Sequence, residues 1–272
     1  MAFFQHKKND PLAVKLKFVD DLSIAECVYL NSALVGNGTK LSLPPAHSIL
    51  QTRLDEVSTA AEAHDMRLNL DKTKLISFNF TRNYKFEPEL VLGGTVLDVV
   101  QETMLLGLVV TSNCRWGANT KHIVTKGNGR LWFLRRLKLL GASKETLMDI
   151  YRLFCRSVLE FGAPVWSGGL TKGNKEDIER VQRNALKIVF GFNSDYEECL
   201  EELEELTLTD RRDKLCLRFA ETCTKNEKCS MWFKTGIKTK TRILYTEPEA
   251  KTRRYRNSAI PHLTRLLNSR SR

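Results

Sequence analysis

Apolar and polar positions alternate differently in two parts of the chain. In the first 110 residues, short β-prone runs flank one amphipathic segment whose apolar residues recur at spacings of four, three and four. That apolar stripe consists of Leu50, Leu54, Val57 and Ala61. It predicts a helix that follows the proline pair at 44–45 and ends before Asn69. The first part of the chain is therefore expected to be α+β.

The β-prone runs predict strands and hairpins on either side of this helix. Residues 14–28 indicate a hairpin interrupted by Asp20 and Asp21, and residues 90–100 indicate a hairpin around Gly93 and Gly94. Residues 74–80 and 104–110 each predict a further strand.

Beyond Trp116 the pattern becomes helical. Gly141 ends a first helix, and Ser143 is the expected N-cap of a second. The face predicted for the second helix is Leu147, Ile150, Tyr151, Phe154 and Val158. A third helix from about Asn174 places Ile178, Val181, Ala185 and Ile188 on one face. A helix capped by Thr209 and a basic tail complete the chain.

Composition is that of a globular protein. The chain has 272 residues, 42% of them hydrophobic, and no apolar run approaches the roughly 18 residues of a membrane span. The N-terminus does not resemble a secretory signal, so we expect a soluble, intracellular protein with no membrane partner. Seven cysteines at irregular spacing predict reduced, buried thiols rather than a disulfide framework or a zinc site.

Positive charge is concentrated in the middle of the chain. The net charge is +11, and residues 111–190 carry 15 Lys and Arg against 6 Asp and Glu. Two interpretations remain open for this region. It either binds a polyanion such as a nucleic acid, or it is a solvated basic face.

The adjacent carboxylates Asp20 and Asp21 lie within a β-prone run, where aspartate is disfavoured. They mark either a solvated turn or a metal site. Carboxylate oxygens suit Mg²⁺, and two such ions can activate a 3′-hydroxyl and stabilise the leaving pyrophosphate in nucleotidyl transfer.

A series of segments in this order resembles the C-terminal half of the reverse transcriptase of non-LTR (LINE-like, jockey-type) retrotransposons. The segments are FVDDLSIAE, MRLNLDKTKLISF, LLGLVVTSNCRW, HIVTKGNGRLWFLRRLK, RSVLEFGAPVWSGGL, IERVQRNALKIVFG and DRRDKLCLRFAETC. The resemblance implies part of a polymerase palm at residues 1–112, an antiparallel sheet with a helix. It further implies an all-α thumb at 113–192 and a helical C-terminal extension at 193–272.

The resemblance also assigns roles to the palm residues. FVDD is similar to the motif whose aspartates bind Mg²⁺, so Asp20 and Asp21 become the implied catalytic and metal-binding residues. LNLDKTK is similar to the motif whose lysine protonates pyrophosphate or holds the triphosphate; Lys72 is preferred over Lys74. Leu106 and Gly107 lie in the implied primer grip, a hairpin whose glycine lets backbone approach the primer closely. The implied substrates are an RNA template, a DNA primer and deoxynucleoside triphosphates.

The implied thumb supplies the candidate phosphate contacts. They are Arg130, Arg135, Arg136, Lys138, Arg180, Arg183 and Lys187. Such contacts position nucleic acid without reading its sequence. Trp132 and Trp166 are candidates for stacking on bases, although core packing is the more common use of aromatic residues at such positions.

The sequence departs from the family where the palm requires a further upstream aspartate and the fingers. Only 19 residues precede Asp20. We therefore expect a fragment of an RNA-directed DNA polymerase, a nucleotidyltransferase, that does not polymerise as this chain alone. The alternative is a non-catalytic nucleic-acid-binding module that uses the basic thumb, and a third possibility is the product of a decayed element that does not accumulate.

Overall fold

The structure is a computed structural model that describes residues 2–3, 13–18, 21–26, 31–35, 39–43, 49–79, 88–238 and 243–270. The fold is mixed α and β, as predicted. The chain divides into two compact units, Met1–Cys114 and Arg115–Arg272. The assignment of residues 1–112, 113–192 and 193–272 to palm, thumb and extension stays a prediction.

The N-terminal unit begins with antiparallel strands. They are β1 (Ala2–Phe3), β2 (Ala13–Phe18), β3 (Asp21–Glu26), β4 (Asn31–Val35) and β5 (Thr39–Leu43). One sheet has the order β1-β2-β3, and β4 pairs with β5. Phe18 is the partner of Asp21 across β2 and β3, which confirms the predicted hairpin.

Helix α1 (Leu50–Glu62) supplies one side of the small core in this unit. Leu54 packs with Leu90, Leu92 and Leu97. The Gln51 amide fixes the helix to the neighbouring strand, because it accepts a hydrogen bond from Val91 N and donates one to Val91 O, both at 2.8 Å. The helix confirms the predicted apolar stripe; residues 44–48 lie outside the described part of the chain.

Two hairpins follow, made of β6 (Val91–Leu92) with β7 (Thr95–Val96) and β8 (Glu102–Leu105) with β9 (Leu108–Thr111). The first confirms the hairpin predicted around Gly93 and Gly94, and both glycines have positive φ, which is the requirement of a type I′ turn. The single strand predicted at 104–110 is wrong, because the chain reverses at Leu106 and Gly107.

The strand predicted at 74–80 is also wrong over the residues that the structure describes there. Leu75 forms an isolated parallel bridge with Val99, and residues 76–79 have no regular structure. A run of alternating residues forms a strand only when a partner backbone lies beside it.

The second unit is mainly helical. Its elements are α2 (Gly117–Leu139), α3 (Lys144–Ile150), a π-helix (Tyr151–Arg156), α4 (Ser157–Glu160), α5 (Ala163–Trp166), α6 (Lys172–Phe190), α7 (Tyr196–Glu202), α8 (Leu208–Lys225), β10 (Thr235–Lys238), β11 (Ile243–Tyr245), α9 (Arg253–Arg256) and α10 (Ala259–Arg270). Single 3₁₀ turns cover Ser167–Gly169 and Ser230–Trp232.

Helix ends follow the expected chemistry with one correction. Gly141 has a φ of 83° just past α2, and the Ser143 hydroxyl accepts a hydrogen bond from Thr146 N at the start of α3. The N-cap of α8 is Thr207, whose hydroxyl accepts from Asp210 N, and not Thr209 as predicted. Leu208, the first buried residue of α8, lies between the two threonines, so Thr209 is already inside the first turn of the helix.

The π-helix changes the face predicted for the second helix. Leu147, Tyr151, Cys155 and Leu159 are completely or almost completely buried, at steady intervals of four. Phe154 is exposed instead. A π turn holds more residues than an α turn, so the buried positions advance by four and do not alternate between three and four.

A buried polar network joins the helices of this unit. The Tyr151 hydroxyl donates to Gln182 Oε1 at 2.6 Å, and the Gln182 amide donates to the Tyr196 hydroxyl at 3.0 Å. Tyr196 in turn donates to Glu179, whose Oε1 also accepts from Leu208 N at 3.0 Å. Burial, followed by this hydrogen bond to Glu179, raises the pKa of Tyr196.

The basic tail is folded onto α8. Leu263 and Leu267 of α10 pack against Cys216, Ala220 and Cys223. The six cysteines that the structure describes are free thiols, and four of them are buried. Arg265 and Arg270 of the tail therefore lie on a helix with an apolar inner face, whereas Arg253, Arg254 and Arg256 lie on α9.

Candidate nucleic-acid interface

The implied metal site falls at the β2–β3 hairpin. The backbone of Asp21 begins β3 opposite Phe18. Asp20 lies outside the described residues, and so does the side chain of Asp21. The hairpin agrees with the strand context expected of the two aspartates, whereas their role as Mg²⁺ ligands stays a prediction.

The two candidate lysines occupy different environments. The Lys74 ammonium lies 2.6 Å from Asp98 Oδ2, and its hydrogen bond and charge lower the pKa of Asp98. Lys72 is exposed, and its side chain has no ion-pair partner among the residues described. Its backbone N–H is bonded to Asn69 Oδ1 at 3.0 Å within a tight turn. Of the two lysines, Lys72 is thus the one whose cation makes no ion pair within the described part of the chain, and its role at a phosphate stays a prediction.

The implied primer grip is a tight hairpin with an exposed apolar tip. Leu106 and Gly107 join β8 to β9 with φ values of 47° and 81°. Met104, Leu105 and Leu106 are all exposed. Leucine is disfavoured at positive φ because its Cβ approaches the backbone carbonyl, so this turn holds a strained residue.

The four basic candidates on α2 separate into structural and exposed residues. Arg130 donates to Phe154 O and lies over the Phe154 ring, 4.3 Å from its centroid. Lys138 donates to Ile188 O and to Val189 O, two carbonyls near the end of α6. Arg135 and Arg136 are exposed. Arg130 and Lys138 therefore bridge helices, although Lys138 is also exposed, whereas Arg135 and Arg136 make no ion pair with a described residue.

The candidates on α6 separate in the same way. Arg183 donates twice to Glu176 and lies over the Tyr196 ring. Among the residues described, the ion-pair partner of Arg180 is Asp177, at 3.3 Å, and the two side chains are 61% and 46% exposed. Lys187 is exposed, with no partner among the residues described. An exposed pair within one helix is worth little and is easily exchanged for a phosphate.

The exposed cations border one seam between two parallel helices. A Cβ at Gly127 of α2 would lie 3.2 Å from Val181 of α6. Lys138, eleven residues after Gly127, donates to the carbonyl of Val189, eight residues after Val181, so the two helices run in the same direction. One flank of α2 packs on Phe154 of the π-helix, as Arg130 shows. At about 100° per residue, Arg135 falls on the opposite flank, beside α6.

On α6, Gln182 marks the flank that faces the buried network. Arg180 and Lys187 fall on the other flank, which borders α2. Arg135, Arg180 and Lys187 therefore lie along the same solvent-exposed side of the seam, and Arg136 continues this basic surface over the outer face of α2. We call these four residues the seam cations.

One aromatic prediction is wrong and the other is confirmed. Trp132, expected in the core, is 61% exposed. Trp166 is completely buried, and its indole N–H donates to Phe161 O at 2.9 Å. Both tryptophans follow apolar residues, so local composition did not separate them; the buried stripe of Ile123, Leu131 and Leu134 does, because Trp132 is off it.

Lys121 was missed by the sequence interpretation. It is exposed on α2, and fourteen residues separate it from Arg135. Fourteen residues make four helical turns, so the two side chains share one face. The signal was present in the sequence as a spacing.

Within the described residues, neither a metal site nor a membrane-spanning helix is found. Among the described residues, no group of three or more His, Cys, Asp or Glu side chains is placed to hold a metal ion. In the same part of the chain, no helix has both the length and the apolar character needed to cross a bilayer.

Comparisons with family models, with curated proteins and with solved structures find no match for this chain.

Proposed function

We propose that the chain is a reverse-transcriptase-like fragment whose helical unit binds the phosphate backbone of a nucleic-acid duplex through the seam cations. The observation that carries this proposal is that Arg135, Arg136 and Lys187 are exposed and make no ion pair with a described residue. Arg180 adds a fourth charge, which is only loosely engaged. Parallel helices that present cations along one side offer a row of charges to a phosphate backbone.

Binding of this kind is mainly electrostatic. Each phosphate that a cation neutralises releases condensed counterions, so the logarithm of the association constant falls with the logarithm of salt concentration by about 0.9 per phosphate. Four seam cations lead us to expect a slope of about −3 to −4. The contacts fix the position of the duplex and do not discriminate between sequences.

The binding experiment compares two double variants on a labelled RNA–DNA duplex across a series of salt concentrations. Arg135→Gln with Lys187→Gln removes two seam cations and is expected to reduce the slope by about two. The matched control is Lys214→Gln with Arg218→Gln, which removes the same charge from exposed positions on α8. Equal effects of the two double variants would show that net charge, and not the seam, determines binding.

The catalytic part of the proposal is that this 272-residue chain does not extend a primer. Asp20 and Asp21 are the two carboxylates that the resemblance assigns to the metal, and two carboxylates hold a pair of Mg²⁺ ions weakly. A primer-extension assay with the purified chain, Mg²⁺ and deoxynucleoside triphosphates tests this. Robust extension that Asp20→Ala abolishes would overturn it.

The alternative function, a non-catalytic nucleic-acid-binding module, shares the seam. It is favoured by the location of the free cations, which lie on the helical unit at a distance in sequence from Asp20. In that case Asp20→Ala leaves duplex affinity and its salt dependence unchanged. A loss of affinity in Asp20→Ala would instead favour a role for the hairpin in holding the primer end.

A further inference from the structure

The outer face of α2 carries an unusual exposed strip. Positions at alternating spacings of four and three are all open to solvent, which is the repeat of one helical face. The strip consists of Lys121, Thr125, Asn128, Trp132, Arg135 and Leu139. Trp132 lies at its centre and is 61% exposed. An indole at this position offers a flat apolar surface with a polar N–H, which a planar ligand can cover.

The neighbours of Trp132 define the chemistry of that ligand. The Arg136 guanidinium carbon lies 5.9 Å from the centroid of the indole ring, and Arg135 is exposed beside it. A flat aromatic surface with two adjacent cations complements a planar apolar group that carries negative charge. A nucleobase linked to its phosphates has this combination.

We infer that Trp132 is a stacking platform for an unpaired base of single-stranded RNA or DNA, with Arg135 and Arg136 on the adjoining phosphates. This inference rests on the proposed function, because it extends the same basic surface. Stacking on the exposed face of an indole requires a base that is not held in a duplex, so the strip selects a single-stranded segment. Every base has a π-face, and no preference among the four bases is expected.

The probes are fluorescein-labelled oligothymidine and oligouridine of about twelve nucleotides, and an abasic strand with the same number of phosphates. Trp132→Leu removes the aromatic plane and keeps an apolar side chain. We expect it to weaken binding of both base-containing strands by about fivefold or more, the factor that corresponds to one stacking interaction. Binding of the abasic strand should be unchanged, because phosphate contacts remain.

Two control variants separate stacking from other effects. Trp132→Phe retains an aromatic plane and should bind within about threefold of the wild type. Phe192→Leu removes another aromatic side chain, 84% exposed, that lies off the α2 strip, and should leave all affinities unchanged. Quenching of indole fluorescence by oligothymidine provides a second readout, and its larger part should disappear in Trp132→Phe.

The outcomes distinguish this inference from the function on which it rests. Salt-dependent binding that is equal for oligothymidine and the abasic strand, and insensitive to Trp132→Leu, overturns the stacking platform and leaves the seam cations in place. Failure of the wild-type chain to bind any of the strands or the duplex overturns both. Loss of binding in Trp132→Leu to the abasic strand as well would show that Trp132 acts through folding of α2.

Discussion

The helical unit and the N-terminal unit obtain their stability in different ways. In the helical unit, Leu134 of α2, Trp166 of α5 and Arg212 of α8 are completely buried. In the N-terminal unit, the described core is four leucines around α1, and the described strands pair in sheets of two or three. Small sheets of this size are marginal unless a helix covers them, as α1 does here. Contacts between buried side chains therefore stabilise the helical unit, whereas the N-terminal unit depends more on its turns and on backbone pairing between strands.

The largest effect is expected from the charge buried in the helical unit. Glu179 accepts hydrogen bonds from Tyr196 and Leu208 N, and its negative charge opposes the burial that lowers the pKa of Arg212. Glu179→Gln keeps the shape but removes the largest of the negative charges that act on the buried Arg212 guanidinium, and leaves it only the weaker contributions of Asp213 and Glu160. We expect a loss of about 3–5 kcal/mol in the free energy of unfolding. Urea denaturation followed by circular dichroism at the helical wavelength measures it.

The control for this substitution is Glu176→Gln, one turn earlier on the same helix. Glu176 pairs with Arg183 but is exposed, so solvent screens the pair and a much smaller loss is expected. Equal losses in the two variants would mean that Glu179 acts only through the propensity of α6, and the contrast between interior and surface would fail.

The next largest change in stability is expected from Gly127 on α2, and Gly129 on the same helix provides the contrast. A Cβ at Gly127 would lie 2.9 Å from Leu159 and 3.2 Å from Val181, whereas a Cβ at Gly129 would meet nothing within 4 Å. Gly127→Leu is expected to cost about 1–3 kcal/mol through overpacking. Gly129→Leu should stabilise the helix by roughly 0.5–1 kcal/mol, because glycine is a poor helix former. Thermal unfolding of the two variants, which have the same composition, gives opposite shifts; shifts of the same sign would contradict close packing at Gly127.

The sequence predicted most of this helical unit because its signals are local. The end of α2 at Gly141 and the cap at Ser143 follow from the chemistry of single residues. Apolar spacing also identified Ile178 and Val181 as core. The exposure of Phe154 was not predictable, because a π turn depends on how neighbouring helices pack and not on local preference.

The candidate site was predictable in outline only. The four seam cations are among the candidates named from the sequence, but so are Arg130, Lys138 and Arg183, which are engaged by other groups of the same unit. A basic residue at a helical position has the same local signature whether it meets a carbonyl or solvent. The partners that decide this, Phe154 and Val189, are 24 and 51 residues away in the sequence.

Alkaline pH is expected to destabilise the helical unit through its buried thiols. Burial raises the pKa of the Cys216 thiol from 9.0 to about 12. The raised pKa stabilises the protonated folded form fully below the unfolded value, and that stability is lost as the pH rises from 9 towards 12. Each pH unit in this window should cost about 1.4 kcal/mol for one thiol. Cys216→Ala should flatten the dependence of unfolding on pH between about 9 and 11.

The control for the alkaline effect is Cys114→Ala, at the last residue of the N-terminal unit. It is expected to leave the pH dependence of helical unfolding unchanged. If the free energy of unfolding still falls with pH in Cys216→Ala, the effect comes from other buried groups. Cys155 and Tyr151 are among them, because burial also raises their pKa values.

The smallest effect concerns the turn of the N-terminal unit. Leu106 has a φ of 47° and Gly107 a φ of 81°, the combination of a type I′ turn, which Asn-Gly satisfies best. Leu106→Asn should relieve about 1 kcal/mol of backbone strain and slow amide hydrogen exchange in β8 and β9 by about fivefold. Gly107→Ala introduces strain at the second position and should accelerate the same exchange. Exchange in α6 should not change in either variant, because the strain is local to the hairpin. Faster exchange in Leu106→Asn would mean that the exposed leucine stabilises its own turn through contacts, and the N-terminal unit would then depend on side-chain packing as the helical unit does.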